Sequence, residues 1–280
     1  MELIYNALNL LPFDFLRYDF MKNAFLAVLL IAPLFGLLST MVVNNKMAFF
    51  SDSLGHGAFT GLAIGSIVGF LTPFSGLVVF SILFALLITY IKNKSKAATD
   101  TIIGVFSSMG IAIGLMIMSY GGNFNKFTSY LIGDILSIRT GDIVNLALLL
   151  VVVVLAWGLL FNKLLLISIN PSFAKSRGIN VNLVEGLFAS LVAVVVAMSI
   201  EWVGLLIINS LLILPGASSR NIASDVKSYH LISVGLAVVS GVLGLLLAYF
   251  GDMTAGASIV IIASIFFFIT FFLKGKVMAK

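Results

Sequence analysis

The sequence predicts an all-α fold, a polytopic bundle of eight or nine transmembrane helices, and three observations carry the prediction. Of the 280 residues, 61% are hydrophobic and 10% are charged, which leaves too little polar surface to wrap a water-soluble globule. Apolar runs of about 20 residues, the length needed to cross a hydrocarbon core of roughly 30 Å, follow one another almost end to end. Lys and Arg collect in alternate breaks between those runs, as the positive-inside rule requires of a multi-pass protein. Lipid is therefore the solvent, and residues 1–280 read as a single membrane domain.

Residues 1–21 alternate apolar positions (Leu10, Leu11, Phe13, Phe15, Leu16, Phe20) with charged ones (Asp14, Arg17, Asp19), the pattern of a segment lying along the outer interface. With no basic leader ahead of the first long run, that run reads as a retained span rather than a signal peptide. Candidate spans fall at 23–43, 54–71, 75–91, 101–119, 143–161, 183–200, 202–217, 231–250 and 256–273. Two are weak. The run 54–71 is rich in Gly and opens near His56, and 202–217 is short and ends near Pro215; a break or re-entrant turn in either makes the count eight. Asp100 is placed to cap the fourth span. Between the fourth and fifth spans, residues 127–138 are apolar but too short to cross, and read as a re-entrant or interfacial helix at an outer gate.

With nine spans, Lys46, then Lys92, Lys94 and Lys96, then Lys163, Lys175 and Arg177, then Arg220 and Lys227, and finally Lys274, Lys276 and Lys280 share one side. The other side holds a mixed, mostly acidic set that includes Asp134, Glu201 and Asp252. The N-terminus is therefore expected outside and the C-terminus in the cytoplasm. The net charge of +5 follows from this topology. It sits in short loops and at the C-terminus rather than on one face, so no nucleic-acid partner is implied.

The chain has no Cys, which removes disulfides, iron–sulfur ligation and thiol nucleophiles. It has no Gly-x-x-x-x-Gly-Lys-Ser/Thr phosphate loop, so it is not itself an ATP-hydrolysing subunit. No zinc-protease helix, nucleophile elbow or cofactor fingerprint appears, so an enzyme with a permanently bound cofactor is not expected.

Ionisable residues at membrane depth are costly unless paired, hydrated or bound to an ion. Asp52 and His56 stand four residues apart at the start of the second span, so helical geometry puts both on one face, one turn apart. A carboxylate and an imidazole so placed either pair as a helix cap and its partner, or share a divalent cation. Two donors are too few for a site, but a symmetric dimer with this face on its axis supplies four. Gly57, Gly61, Gly65 and Gly69 make a small-residue ridge along the same span, suited to close helix packing. On the helical wheel the ridge sweeps from 0° to about 120°, whereas His56 and Asp52 fall near about −100° and −140°; the ridge packs the helix into its bundle and leaves the pair toward a pore.

Asn170, Pro171 and Gly178 have the residue types of an N-cap, a first helical turn and a left-handed terminus. They delimit a short helix within 170–181 outside the membrane, either a tidy loop or a docking element for a cytoplasmic partner. Asp134 and Glu201 are either interfacial acids or carboxylates on an approach path for cations. His230 reads as a solvated loop residue.

The series Ser51-Asp-Ser-Leu-Gly-His-Gly-Ala-Phe-Thr-Gly61, Ala98-Thr-Asp-Thr-Ile-Ile-Gly104, Ser129-Tyr-Leu-Ile-Gly-Asp-Ile-Leu136, Ser172-Phe-Ala-Lys-Ser-Arg-Gly178 and Val203-Gly-Leu-Leu-Ile-Ile-Asn-Ser-Leu-Leu-Ile-Leu-Pro-Gly-Ala-Ser-Ser-Arg220 resembles, in order, the bacterial ABC-importer permeases for zinc, manganese and iron. The resemblance spans residues 20–273. It implies a homodimeric permease in the bacterial cytoplasmic (inner) membrane, with cytoplasmic ATPase subunits docked on Pro171, Ser172, Phe173, Ala174, Lys175, Ser176, Arg177 and Gly178. It implies also an extracytoplasmic metal-binding protein that delivers the cargo, and it makes Asp52 and His56 metal ligands. The stretch Leu211-Leu-Ile-Leu-Pro215 is more like the zinc members, with manganese or iron as alternatives. Gly216 departs from the family, which more often has Ala there.

Overall fold

A computed structural model describes residue 5 and residues 14–67, 72–121 and 134–277. Among the described residues all regular structure is helical: α1 (Asp19–Asn44), α2 (Phe50–Ile67), α3 (Pro73–Lys94), α4 (Thr99–Gly121), α5 (Thr140–Ile169), α6 (Pro171–Ser176), α7 (Val181–Val203), α8 (Leu205–Ile222), α9 (Val226–Gly251) and α10 (Ala255–Val277), with short 3-10 turns at Asp14–Arg17 and Ile135–Ser137. Eight of these, all but α2 and α6, are long and apolar enough to cross a membrane. Helix α2 has 18 residues, about 27 Å at 1.5 Å per residue, and carries Asp52, Ser53 and His56 in its first two turns. The alternative of eight or nine spans thus falls on the helix that carries the candidate ligands.

Helix ends differ from the sequence expectation by up to eight residues, as where the span expected at 143–161 runs over Thr140–Ile169, and three features stand out. Helix α7 runs on to Val203, past the break expected near Glu201, and ends where Gly204 takes φ 78°, a left-handed conformation that an L side chain rarely adopts. Helix α8 continues through Pro215 to Ile222; Pro lacks an amide hydrogen, and the next amide, of Gly216, donates instead to Ser39 Oγ at 2.8 Å. Asp100 lies inside the first turn of α4, which begins at Thr99, so it is not the cap. Gly69, residues 122–133 of the external piece and all but residue 5 of the segment 1–13 lie outside the described residues.

The chain divides into two compact units, one of residues 1–40, 134–152 and 202–280, the other of residues 41–133 and 153–201. In the first, α8, α9 and α10 pack on one another and α1 lies along α9. Ser233 Oγ donates to the Gly36 carbonyl at 2.6 Å and the Tyr229 hydroxyl to the Thr40 carbonyl at 3.2 Å. Such links matter in lipid, where apolar helices gain little by leaving one another's tails for the bilayer's, and close packing with interhelical hydrogen bonds does the work of association. Helix α8 also touches α1: a Cβ on Gly216 would stand 2.5 Å from Ser39 Oγ and 2.7 Å from the Ser39 carbonyl oxygen, so this approach needs Gly. Asp225 caps α9 in a reciprocal capping box with Ser228, and the Ser228 backbone amide, chief among its donors, holds the Asp225 carboxyl below the ordinary range.

Two glycines of α9 are expected to behave oppositely. A Cβ on Gly244 would meet Ile259 Cα at 2.4 Å and Ile259 N at 2.6 Å, whereas one on Gly235 would meet nothing within 4 Å. Gly244→Ala has to push α10 backbone away and should cost about 1–3 kcal/mol. Gly235→Ala gains helix propensity of up to about 1 kcal/mol. Thermal midpoints in detergent should fall for the first and hold or rise for the second; equal shifts would refute the packing.

In the second unit α2 packs against both α3 and α4. Phe84 of α3 stacks on Phe80 with ring centroids 5.5 Å apart and meets Phe106 of α4 edge-on at 5.5 Å. The Thr60 hydroxyl of α2 donates to the Gly110 carbonyl of α4.

Candidate functional site

Asp52 lies in the first turn of α2, which starts at Phe50, so its carboxylate is a side group of the helix and not its N-cap. Asp52 Oδ2 and His56 Nε2 stand 3.4 Å apart, with side chains 42% and 29% exposed. Their neighbours on the helix, Ser53, Leu54, Ala58 and Thr60, are fully buried, so the pair marks the open stripe of an otherwise enclosed segment. Among the described residues no group of three or more His, Cys, Asp or Glu gathers to hold a metal. Asp52 and His56 are thus a pair and not a complete set of metal donors within one chain.

The glycines hold the rest of α2 against α3. A Cβ on Gly57 would meet the Phe84 ring at 2.7 Å, one on Gly61 the Leu77 Cα at 2.9 Å, and one on Gly65 the Thr72 carbonyl oxygen at 3.0 Å. Facing them, a Cβ on Gly76 would come 2.6 Å from Gly65 Cα. The backbones of α2 and α3 thus touch over two turns, and a side chain at any of these positions would separate them. Gly76 and Phe84 are invisible as site-shaping residues in the sequence, because their importance lies in what α2 brings against them.

The other candidates sit as follows. Asp134 caps the turn Ile135–Ser137, its Oδ1 accepting from the Leu136 amide at 3.0 Å. Glu201 is exposed near the end of α7. His230 lies against Tyr229 edge-on, its Nδ1 2.7 Å from the Val226 carbonyl oxygen of the preceding turn.

Helix α6 is a single, closely specified piece. Asn170 Oδ1 accepts from the Phe173 amide at 3.0 Å and Pro171 opens the first turn. At the other end Gly178 takes φ 78°, the Gly178 amide donates to the Lys175 carbonyl at 3.0 Å, and the Ile179 amide donates to the Ala174 carbonyl at 3.1 Å. This pair of bonds is a Schellman terminus, which needs a left-handed residue and hence favours Gly. The helix ends at Ser176, shorter than the expected 170–181, because Asn180 already caps α7 through the Leu183 amide at 3.2 Å. Ala174 is buried, while Phe173 is 46% exposed with the Arg177 guanidinium 5.2 Å from its ring centre.

Residues 17–274 match the ABC 3 transport family. The chain belongs to that family. Over 260 residues, 93% of this chain and 92% of the relative, it is 30% identical to the manganese import system permease protein ScaB of Streptococcus parasanguinis. Over another alignment of 260 residues, 92% of this chain and 99% of the relative, it is 27% identical to the high-affinity zinc uptake system membrane protein ZnuB of Haemophilus influenzae. Its fold is similar to a chain in a solved structure of PsaBC from Streptococcus pneumoniae in complex with Fab, with a TM-score of 0.80 and 29% identity over 98% of this chain and 96% of that one. As an ABC 3 transport family member it is a transport subunit, an all-α multi-pass membrane protein.

Proposed function

We propose that the chain is the permease subunit of an ATP-driven importer that carries zinc into the bacterial cytoplasm, working as a homodimer with cytoplasmic ATPase subunits and an extracytoplasmic metal-binding protein. The observation that carries the reading is the Asp52–His56 pair on the open stripe of α2, in a family whose relatives import metals. Two copies contribute two carboxylates and two imidazoles, a donor set suited to tetrahedral zinc. Nine crossings, α2 included, keep the Lys and Arg clusters on the cytoplasmic side and put α6 where the ATPase docks, the N-terminus outside and the C-terminus inside. Asp134 and Glu201 then stand on the outer side, as carboxylates that draw cations toward the channel.

Manganese is the second reading, favoured by the 30% identity to ScaB and by the general suitability of carboxylate and imidazole for either ion; iron is the remaining member of the set. Elemental analysis of uptake, with zinc, manganese and iron in competition, separates them. Zinc is expected to accumulate first. Preferential manganese uptake replaces the first reading by the second, and transport of another solute without ATP refutes both.

A further inference from the structure

Far apart in the chain, Lys92 and Glu185 meet. Lys92 Nζ lies 2.9 Å from Glu185 Oε2, with the side chains only 15% and 13% exposed. Beside them Asn93 Nδ2 donates to Asn182 Oδ1 at 3.1 Å, and a Cβ on Gly186 would rest on Leu86 at 3.4 Å. Three adjoining contacts thus tie the last turns of α3 to the first turns of α7. An enclosed ion pair is rarely a source of stability, since desolvation offsets most of the attraction, but removing one partner strands a charge. Such a pair is better suited to holding two helices in one register than to strengthening the fold.

Its position suggests what the register serves. The amide of Ile179 closes α6 and the next residue, Asn180, opens α7, so the link between them has no slack and α7 must follow α6. On the far side of the clasp, two turns back along α3, the Phe84 ring sits against Gly57, the neighbour of His56. We propose that Lys92–Glu185, with Asn93–Asn182, is a transmission clasp: it passes movement of α6 through α7 and α3 to the end of α2 that carries Asp52 and His56. These are positioning residues, which touch neither metal nor nucleotide. The inference rests on the importer reading, because it needs an ATPase pushing on α6.

The test uses the full permease–ATPase complex in proteoliposomes, with zinc as the probe and zinc transported per ATP hydrolysed as the readout. Lys92→Glu and Glu185→Lys should each keep the ATPase bound and hydrolysing, yet lower that ratio by about tenfold, within the usual range of coupling between sites. The double exchange should restore most of it. Glu185→Gln keeps shape and loses charge; a fall of a few-fold is expected and serves if the reversals do not accumulate. An unchanged ratio in Glu185→Gln, or a double exchange no better than the single variants, overturns the clasp. If the wild-type complex itself moves no metal with ATP, the importer reading fails and the inference falls with it.

Discussion

Replacing Asp52 or His56 with Ala should abolish zinc-dependent growth and cut uptake by more than about 100-fold. In a symmetric dimer each substitution deletes two of four donors. Loss of an outer-sphere partner alone commonly costs 10–100-fold in metal affinity, so loss of direct ligands should cost more. The protein should remain folded. Both side chains are partly exposed, so truncation leaves no closed cavity, and α2 is held from its glycine side by Phe84, Leu77 and Thr72. Thermal midpoint and ATPase co-purification therefore stay near wild type while uptake is lost. Normal uptake by both variants would remove the pair from the metal path.

Phe173→Ala combined with Arg177→Ala should release the ATPase. Helix α6 exposes an aromatic ring with a guanidinium beside it, and aromatic and Arg residues dominate interface energetics, often at about 2 kcal/mol or more for each anchor. A loss of about 2 kcal/mol is roughly thirtyfold in affinity. Neither change touches the cap at Asn170 or the Schellman bonds to Lys175 and Ala174, so the helix survives and only its exposed surface alters. Co-purification of the ATPase with the double variant should collapse. Full recovery would show that Phe173 is an anchor in the lipid interface and that docking lies elsewhere.

The glycine contacts explain why the geometry of the Asp52–His56 pair depends on more than those two residues. Gly57 follows His56 in the chain and lies under the Phe84 ring, so the orientation of the imidazole is inherited from how closely α2 and α3 approach. The same logic applies in the other unit, where Gly216 accepts the approach of Ser39. In lipid, where burial of apolar side chains separates helices from nothing, these close approaches and the hydrogen bonds beside them decide which helices are neighbours.

Composition and periodicity by themselves determined that the chain is an all-α multi-pass membrane protein, because a bilayer demands long apolar helices whatever their arrangement. Residue types at fixed spacing determined the cap and terminus of α6 and the shared face of Asp52 and His56, since both are local properties of one helix. Where the chain reverses was less legible. Pro215 reads as a stop but lies inside α8, which runs to Ile222, and the break expected near Glu201 falls at Gly204. Only the tertiary structure decided the 3.4 Å separation of Asp52 and His56, the seating of the Gly57, Gly61 and Gly65 ridge on α3, and the meeting of Lys92 with Glu185. The side-chain separation depends on rotamers, and the other two contacts on which helices pack side by side; a pattern along one helix determines neither.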